Sequence, residues 1–142
     1  MQLNQATDYA FRVVLYLAAL PLGEVTSGVV IADRQRIPPR FLQKIMRMLA
    51  AGGLVKSYRG VEGGFALTKA AEEITLYDVI VAMEGPLGIH RCLVDRKACN
   101  RVCDQECPVH QALAGVQDRL AADLSSVTFA ALAAKANNSI RG

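Results

Sequence analysis

The apolar positions of this chain recur mostly at helical spacing. Leu3, Ala10, Phe11, Val14, Leu15 and Ala18 share one face of a first predicted helix. Thr7 and Asp8 lie near its start, and Pro21 and Gly23 end it. Thr26 and Ser27 are candidate N-caps of a second helix reaching Arg36. Ile37-Pro38-Pro39 predicts a turn, because proline disfavours helix in the residue before it. Pro39 also suits the first position of the next helix. That third helix is expected over Arg40 to Ala51, with Phe41, Leu42, Ile45, Met48 and Leu49 as its buried stripe. Gly52-Gly53 closes it, since glycine accepts the left-handed conformation at a helix end.

The period then changes. Leu54–Tyr58 and Phe65–Thr68 read as short strands. A glycine-rich turn, Arg59-Gly60-Val61-Glu62-Gly63-Gly64, joins them. Thr75-Leu76-Tyr77-Asp78 is a capping box opening a helix to Met83 or Glu84, which Gly85-Pro86 stops. His90 to Glu106 is irregular, charged and cysteine-bearing, and is expected to be a loop. Pro108 can open a long helix in which Val109, Leu113, Val116, Leu120 and Leu124 form a narrow apolar seam. Thr128 is expected to cap a short terminal helix holding Phe129 and Leu132, with a frayed polar tail over Asn137–Gly142. Three helices followed by a hairpin is the order of a winged helix-turn-helix, in a mainly α chain. Residues 1–84 are expected to form that unit, 85–107 a cysteine-rich loop, and 108–142 a long helix with a terminal helix.

Composition narrows the picture. The chain has 142 residues, which suits one main domain. It is 52% apolar, 6% aromatic and 20% charged, in line with a helical globular core rather than disorder. Its net charge is +3, unevenly divided. Residues 1–70 carry nine Lys+Arg against four Asp+Glu, and residues 71–142 seven against nine. The first part thus has the sign needed to approach phosphates. No segment is long enough to span a membrane. Val13–Leu22 lacks the basic lead of a signal segment and reads as a core helix. A cytoplasmic location is therefore expected.

Chemistry concentrates in two places. On the third helix, Arg40, Gln43, Lys44 and Arg47 lie away from the apolar stripe. A helix fits the major groove of B-DNA, where Arg and Lys serve phosphates or guanine and Gln can read adenine. Arg59 could enter a narrow minor groove, and Gly63 and Gly64 would let the hairpin tip lie close to it. The second place is Cys92-x6-Cys99-x3-Cys103-x3-Cys107, followed by His110. Thiolates so clustered favour an iron–sulfur cluster, zinc or copper(I) over a disulfide framework. Free or disulfide-capable thiols remain the alternative. His110 falls one turn into the helix after Cys107, a spacing compatible with ligation. Arg91, Arg96, Lys97 and Arg101 would offset the charge of a thiolate-bound cluster. No nucleophile–base pair or phosphate loop is legible, which points away from an enzyme.

With these residues in view, the chain resembles the Rrf-two family of regulators, of IscR and NsrR type. The resemblance rests on Thr7-Asp8-Tyr9-Ala10, Ile37-Pro38-Pro39-Arg40-Phe41-Leu42, Gly53-Leu54-Val55, Arg59-Gly60 with Gly63-Gly64-Phe65, Leu76-Tyr77-Asp78-Val79-Ile80 and Cys107-Pro108-Val109-His110-Gln111-Ala112-Leu113. It implies a homodimer joined by the long helix after the cysteines, binding a palindromic double-stranded DNA operator, as a repressor. It also implies an iron–sulfur cluster, [2Fe–2S] ahead of [4Fe–4S], held by Cys92, Cys99 and Cys107. The fourth ligand would be His110 or Asp8 of the partner subunit. Two departures stand out. The ligand loop is longer than usual and holds an extra thiol, Cys103. Gln43 stands where some relatives carry an acidic residue. A structural zinc site, or no metal with sensing by thiol oxidation, is the alternative.

Overall fold

The computed structural model describes residues 2–95, 97 and 107–141, and only the backbone of residues 138–141. Cys99 and Cys103 lie outside the described residues, as do Arg96 and Arg101.

Helix α1 spans Gln5–Ala18 and is capped by Asn4, whose side chain accepts from the Thr7 N–H. Its buried positions are Thr7, Ala10, Val13, Val14 and Leu17. This face is turned from the expected one. Leu3 precedes the helix and is exposed, while Phe11, Leu15 and Ala18 pack at the edge of the core. The cause is tertiary. α1 contacts α2 (Gly28–Gln35), α3 (Pro39–Ala51), α4 (Leu76–Glu84) and α7 (Phe129–Arg141), so its most enclosed stripe is set by four neighbours rather than one. The buried Thr7 hydroxyl reaches the Glu84 carboxylate at 2.9 Å and ties α1 to the end of α4.

Ser27 caps α2 by accepting from the Val30 N–H. α2 ends on Arg36 in the left-handed conformation, φ 53°. The next N–H, of Ile37, returns 2.9 Å to the Ala32 carbonyl and Ile37 is buried, so the turn into Pro38-Pro39 is fixed at both ends. Pro39 opens α3 as expected. α3 buries Leu42, Ile45, Met46 and Leu49. Met46 thus takes the place expected for Phe41, because it completes the i, i+3, i+4, i+7 set begun by Leu42. Phe41 is half exposed and lies against Tyr9, with ring centroids 6.3 Å apart.

Strands β1 (Val55–Tyr58) and β2 (Gly64–Leu67) pair antiparallel, Val55 with Leu67 through Tyr58 with Gly64. β2 also bonds backwards. Thr26 and Phe65 exchange N–H···O bonds of 2.9 and 2.8 Å, which fastens the hairpin to the segment leading into α2. Gly64 permits this approach: a Cβ there would stand 2.1 Å from the Thr26 carbonyl oxygen.

After a short 3-10 helix at Ala71–Glu73, Thr75 and Asp78 form the reciprocal capping box that opens α4. The expected loop contains a one-turn helix, α5, at Arg91–Val94. α6 runs Pro108–Ser125. Among the described residues α6 buries none fully. Val109 and Val116 of its seam are exposed, and Leu113, Leu120 and Leu124 are half covered. The chain then returns to the core built by the N-terminal helices. Leu76 N–H bonds Val127 O, Phe129 N–H bonds Ile74 O at 2.9 Å, and Phe129 and Ala133 are buried. α7 continues to Arg141, well past the expected short helix, because its Phe129, Leu132 and Ala133 face packs on the core. No helix among the described residues is long and apolar enough to cross a membrane.

Candidate DNA-reading face and cysteine site

The polar side chains of α3 repeat the spacing of its core. Arg40, Gln43, Lys44 and Arg47 all lie exposed, two residues out of step with Leu42, Ile45, Met46 and Leu49. At 100° per residue that offset is about 200°, so the two sets occupy opposite faces. The α2–α3 turn and the core fix the placement of α3 while its cationic face stays open. A cleft of about 500 Å³ opens beside Gln43, lined by Gly28, Val29, Ala32, Leu42 and Phe65 among others. The β1–β2 wing carries exposed Arg59, and its tip residue Val61 is fully solvent-exposed. Gly63 and Gly64 have a packing reason of their own. A Cβ on Gly63 would meet the Tyr58 carbonyl at 2.4 Å, and one on Gly64 the Thr26 backbone.

The cysteine segment is built on α5 and α6, which pack together. His90 caps α5, its Nδ1 accepting from the Cys92 N–H at 3.3 Å. Cys92 falls in that single turn, and its Sγ lies 3.1 Å from His90 Nδ1. From α6, His110 brings its Nδ1 to 3.3 Å from the same sulfur. Cys107 is the residue before α6 and is partly buried, as is Cys92. The Ile89 N–H donates to Gln117 Oε1 at 3.1 Å, a second tie between this segment and α6. The fold therefore brings Cys92 and His110 together. Asp8 is placed differently: its carboxylate pairs with Arg12 at 2.8 Å on the exposed side of α1, and Arg12 also covers the Tyr9 ring. His90 was not among the expected site residues. Its only sequence signal is its position two residues before Cys92. The contact also supplies the thiol–imidazole pair that was not legible in the chain.

Residues 3–135 match the sequence signature of Rrf2, described as iron-dependent transcriptional regulator. The chain belongs to the Rrf2 family. YwgB of Bacillus subtilis (strain 168), a candidate HTH-type transcriptional regulator, is 41% identical over 85 residues, 60% of this chain and 54% of YwgB. This Rrf2 chain therefore spans about half the length of that relative. It is 30% identical to YffB of Lactococcus lactis subsp. lactis (strain IL1403), with the same description, over 94% of this chain and 87% of YffB. Among solved structures it is similar to CymR (YrzC), the global cysteine regulator of B. subtilis, at 26% identity and a TM-score of 0.74, covering 95% of this chain and 98% of that one. The mainly helical architecture with a two-stranded wing is thus that of the winged-helix regulators.

Two of the expected donors of this Rrf2 protein meet at a spacing that a single tetrahedral metal ion accepts. Tetrahedral bonds of about 2.1 Å to nitrogen and about 2.3 Å to sulfur put neighbouring donor atoms about 3.5 Å apart. Cys92 Sγ and His110 Nδ1, 3.3 Å apart, are close to that separation. Among the described residues no group of three or more His, Cys, Asp or Glu forms a metal-binding arrangement. The further expected thiolates are Cys107, at the start of α6, and Cys99 and Cys103, which lie outside the described residues.

Proposed function

We propose that this Rrf2 regulator acts as a homodimer that represses transcription from a palindromic operator, with its DNA affinity set by an iron–sulfur cluster on the cysteine segment. The observation that carries the DNA reading is the division of α3 into a buried apolar face and an open face of Arg40, Gln43, Lys44 and Arg47. In this reading Arg40, Lys44 and Arg47 bind phosphates or guanine, Gln43 reads a base edge, and Arg59 follows the minor groove. Gly63 and Gly64 let the hairpin turn tightly and pack against Thr26, which sets where Arg59 stands.

Cys92, Cys99 and Cys107 would hold the cluster, with Cys103, His110 or the partner subunit's Asp8 completing the set. Such a group supplies one-electron redox chemistry when bound. The chain's own residues carry the consequence to DNA. Cys92 on α5 and His110 on α6 clamp the two ends of the segment, and Gln117 holds Ile89. α6 is in turn anchored at its far end by the strand-like pairing of 74–76 with 127–129. The seam of α6, with Val109 and Val116 exposed and Leu113, Leu120 and Leu124 partly covered, is the surface for a second copy. Reordering the cysteine segment would then tilt α6 and alter the distance between the two α3 helices. Half-sites lie about 34–36 Å apart, so small changes in that distance switch affinity.

Anaerobic purification tests this reading. Visible absorption together with iron and acid-labile sulfide is expected in the wild type and absent in Cys92→Ser. A colourless protein that binds DNA equally well without Cys92, Cys99 and Cys107 overturns the sensing reading. The likeness to CymR, a cysteine regulator, favours the second reading, in which the thiols sense without a cluster. One zinc per chain without sulfide, or no metal, would support that instead.

A further inference from the structure

The cleft of about 500 Å³ beside Gln43 is apolar over most of its lining. Val29 and Ala32 line it from α2, and Pro39 and Leu42 from α3. The lining holds no Lys or Arg, and its one charge is the Asp33 carboxylate. Among the described residues Asp33 has no ion-pair partner. One helical turn before it stands Val29, 81% exposed. A single exposed valine is ordinary on a protein surface. This one lies at the rim of an apolar cleft whose other wall carries Gln43, a member of the open polar face of α3.

The occupant follows from that lining. A phosphate meets the Asp33 carboxylate there and finds no cation, so the DNA backbone does not suit the cleft. A base edge does. Among the donors and acceptors that base pairs present in the major groove, the apolar group is the C5-methyl of thymine. The cleft is continuous with the α3 face through Gln43, the side chain assigned to a base edge. We infer that the apolar rim of this cleft, with Val29 as its exposed contact, receives the methyl group of a thymine beside the base that Gln43 reads. This rests on the DNA reading above. Burying the methyl against Val29 and Pro39 takes apolar surface out of water and requires no new hydrogen bond. It adds a thymine preference that phosphate contacts from Arg40, Lys44 and Arg47 cannot supply, because the backbone is alike at every sequence.

The probe is the duplex that the full chain selects from a random double-stranded pool, remade with dU for dT at one position of one half-site at a time. The exchange removes the methyl and leaves pairing intact. At one thymine position wild type should bind about fourfold less tightly, the worth of one buried methyl group. Val29→Ser, an exposed substitution that the fold should tolerate, is expected to bind the dT and dU duplexes alike. Val29→Ile keeps the apolar contact and should keep the preference. Neither variant should change the slope of log K against log salt, since no phosphate contact is lost. Equal binding of every dU duplex by wild type overturns the inference alone and leaves the cleft to another occupant, such as a small apolar effector. A selected half-site without thymine does the same. A methyl effect that persists unchanged in Val29→Ser places the methyl elsewhere and overturns it too. A chain that retains no duplex from the pool overturns the DNA reading and this inference with it.

Discussion

Replacing Gly64 by alanine separates two roles that a wing glycine can have. One is access: a bare backbone lets the wing tip approach DNA. The other is packing: β2 must come close to the chain before α2. The geometry favours packing. The added Cβ would stand 2.1 Å from the Thr26 carbonyl oxygen, 2.5 Å from its carbon and 2.8 Å from Ser27 Cα. All three are backbone atoms, so no side chain can rotate away. The wing must peel from Thr26, breaking the reciprocal Thr26–Phe65 bonds of 2.9 and 2.8 Å. Two such bonds contribute about 0.5–1.5 kcal/mol each, so a loss of about 1–3 kcal/mol in folding stability is expected. Urea unfolding followed by far-ultraviolet circular dichroism measures it. Val61→Ala is the control, because Val61 is fully exposed at the tip and should change stability by less than about 0.5 kcal/mol. Gly64→Ala should also weaken DNA binding, since it moves Arg59. A variant as stable as wild type that nevertheless binds DNA poorly refutes the packing account and returns Gly64 to the access role.

Other substitutions probe the remaining joints. Phe129→Ala should destabilise by about 3–5 kcal/mol, as for a buried aromatic in a core, and a loss below about 1 kcal/mol in urea unfolding would show that α7 is a detachable tail. Thr75→Ala removes one half of the capping box and should lower stability by about 1 kcal/mol, read from the same denaturation curve. Val116→Asp places a charge on the α6 seam; sedimentation should show the dimer weakened, and an unchanged dimer would move the interface elsewhere. Arg47→Ala should reduce the slope of log K against log salt by about 0.9 if Arg47 neutralises one phosphate, and an unchanged slope would remove it from the interface.

What the chain reveals by itself divides along a physical line. Features held within a few residues were legible. Ser27, Pro39, the Thr75–Asp78 box and Pro108 mark helix starts because capping and proline geometry act locally. The open face of α3 was legible for the same reason, since Arg40, Gln43, Lys44 and Arg47 belong to one helix. Features that depend on how many neighbours an element has were not. The stripe of α1 turned because four helices enclose it, and Phe129 joined a core that begins at Ala10.

The cysteine site shows the limit most sharply. His110 could be related to Cys107 by spacing, because one turn of helix separates them. Its contact with Cys92 spans eighteen positions and exists only because α5 packs on α6. His90 is near Cys92 in sequence, yet two residues apart on a helix would not face each other. They meet because His90 stands outside α5 in an extended conformation, φ −145° and ψ 151°, as its cap. The cap makes the contact, so the local fold of this turn and the chemistry of its sulfur depend on the same imidazole.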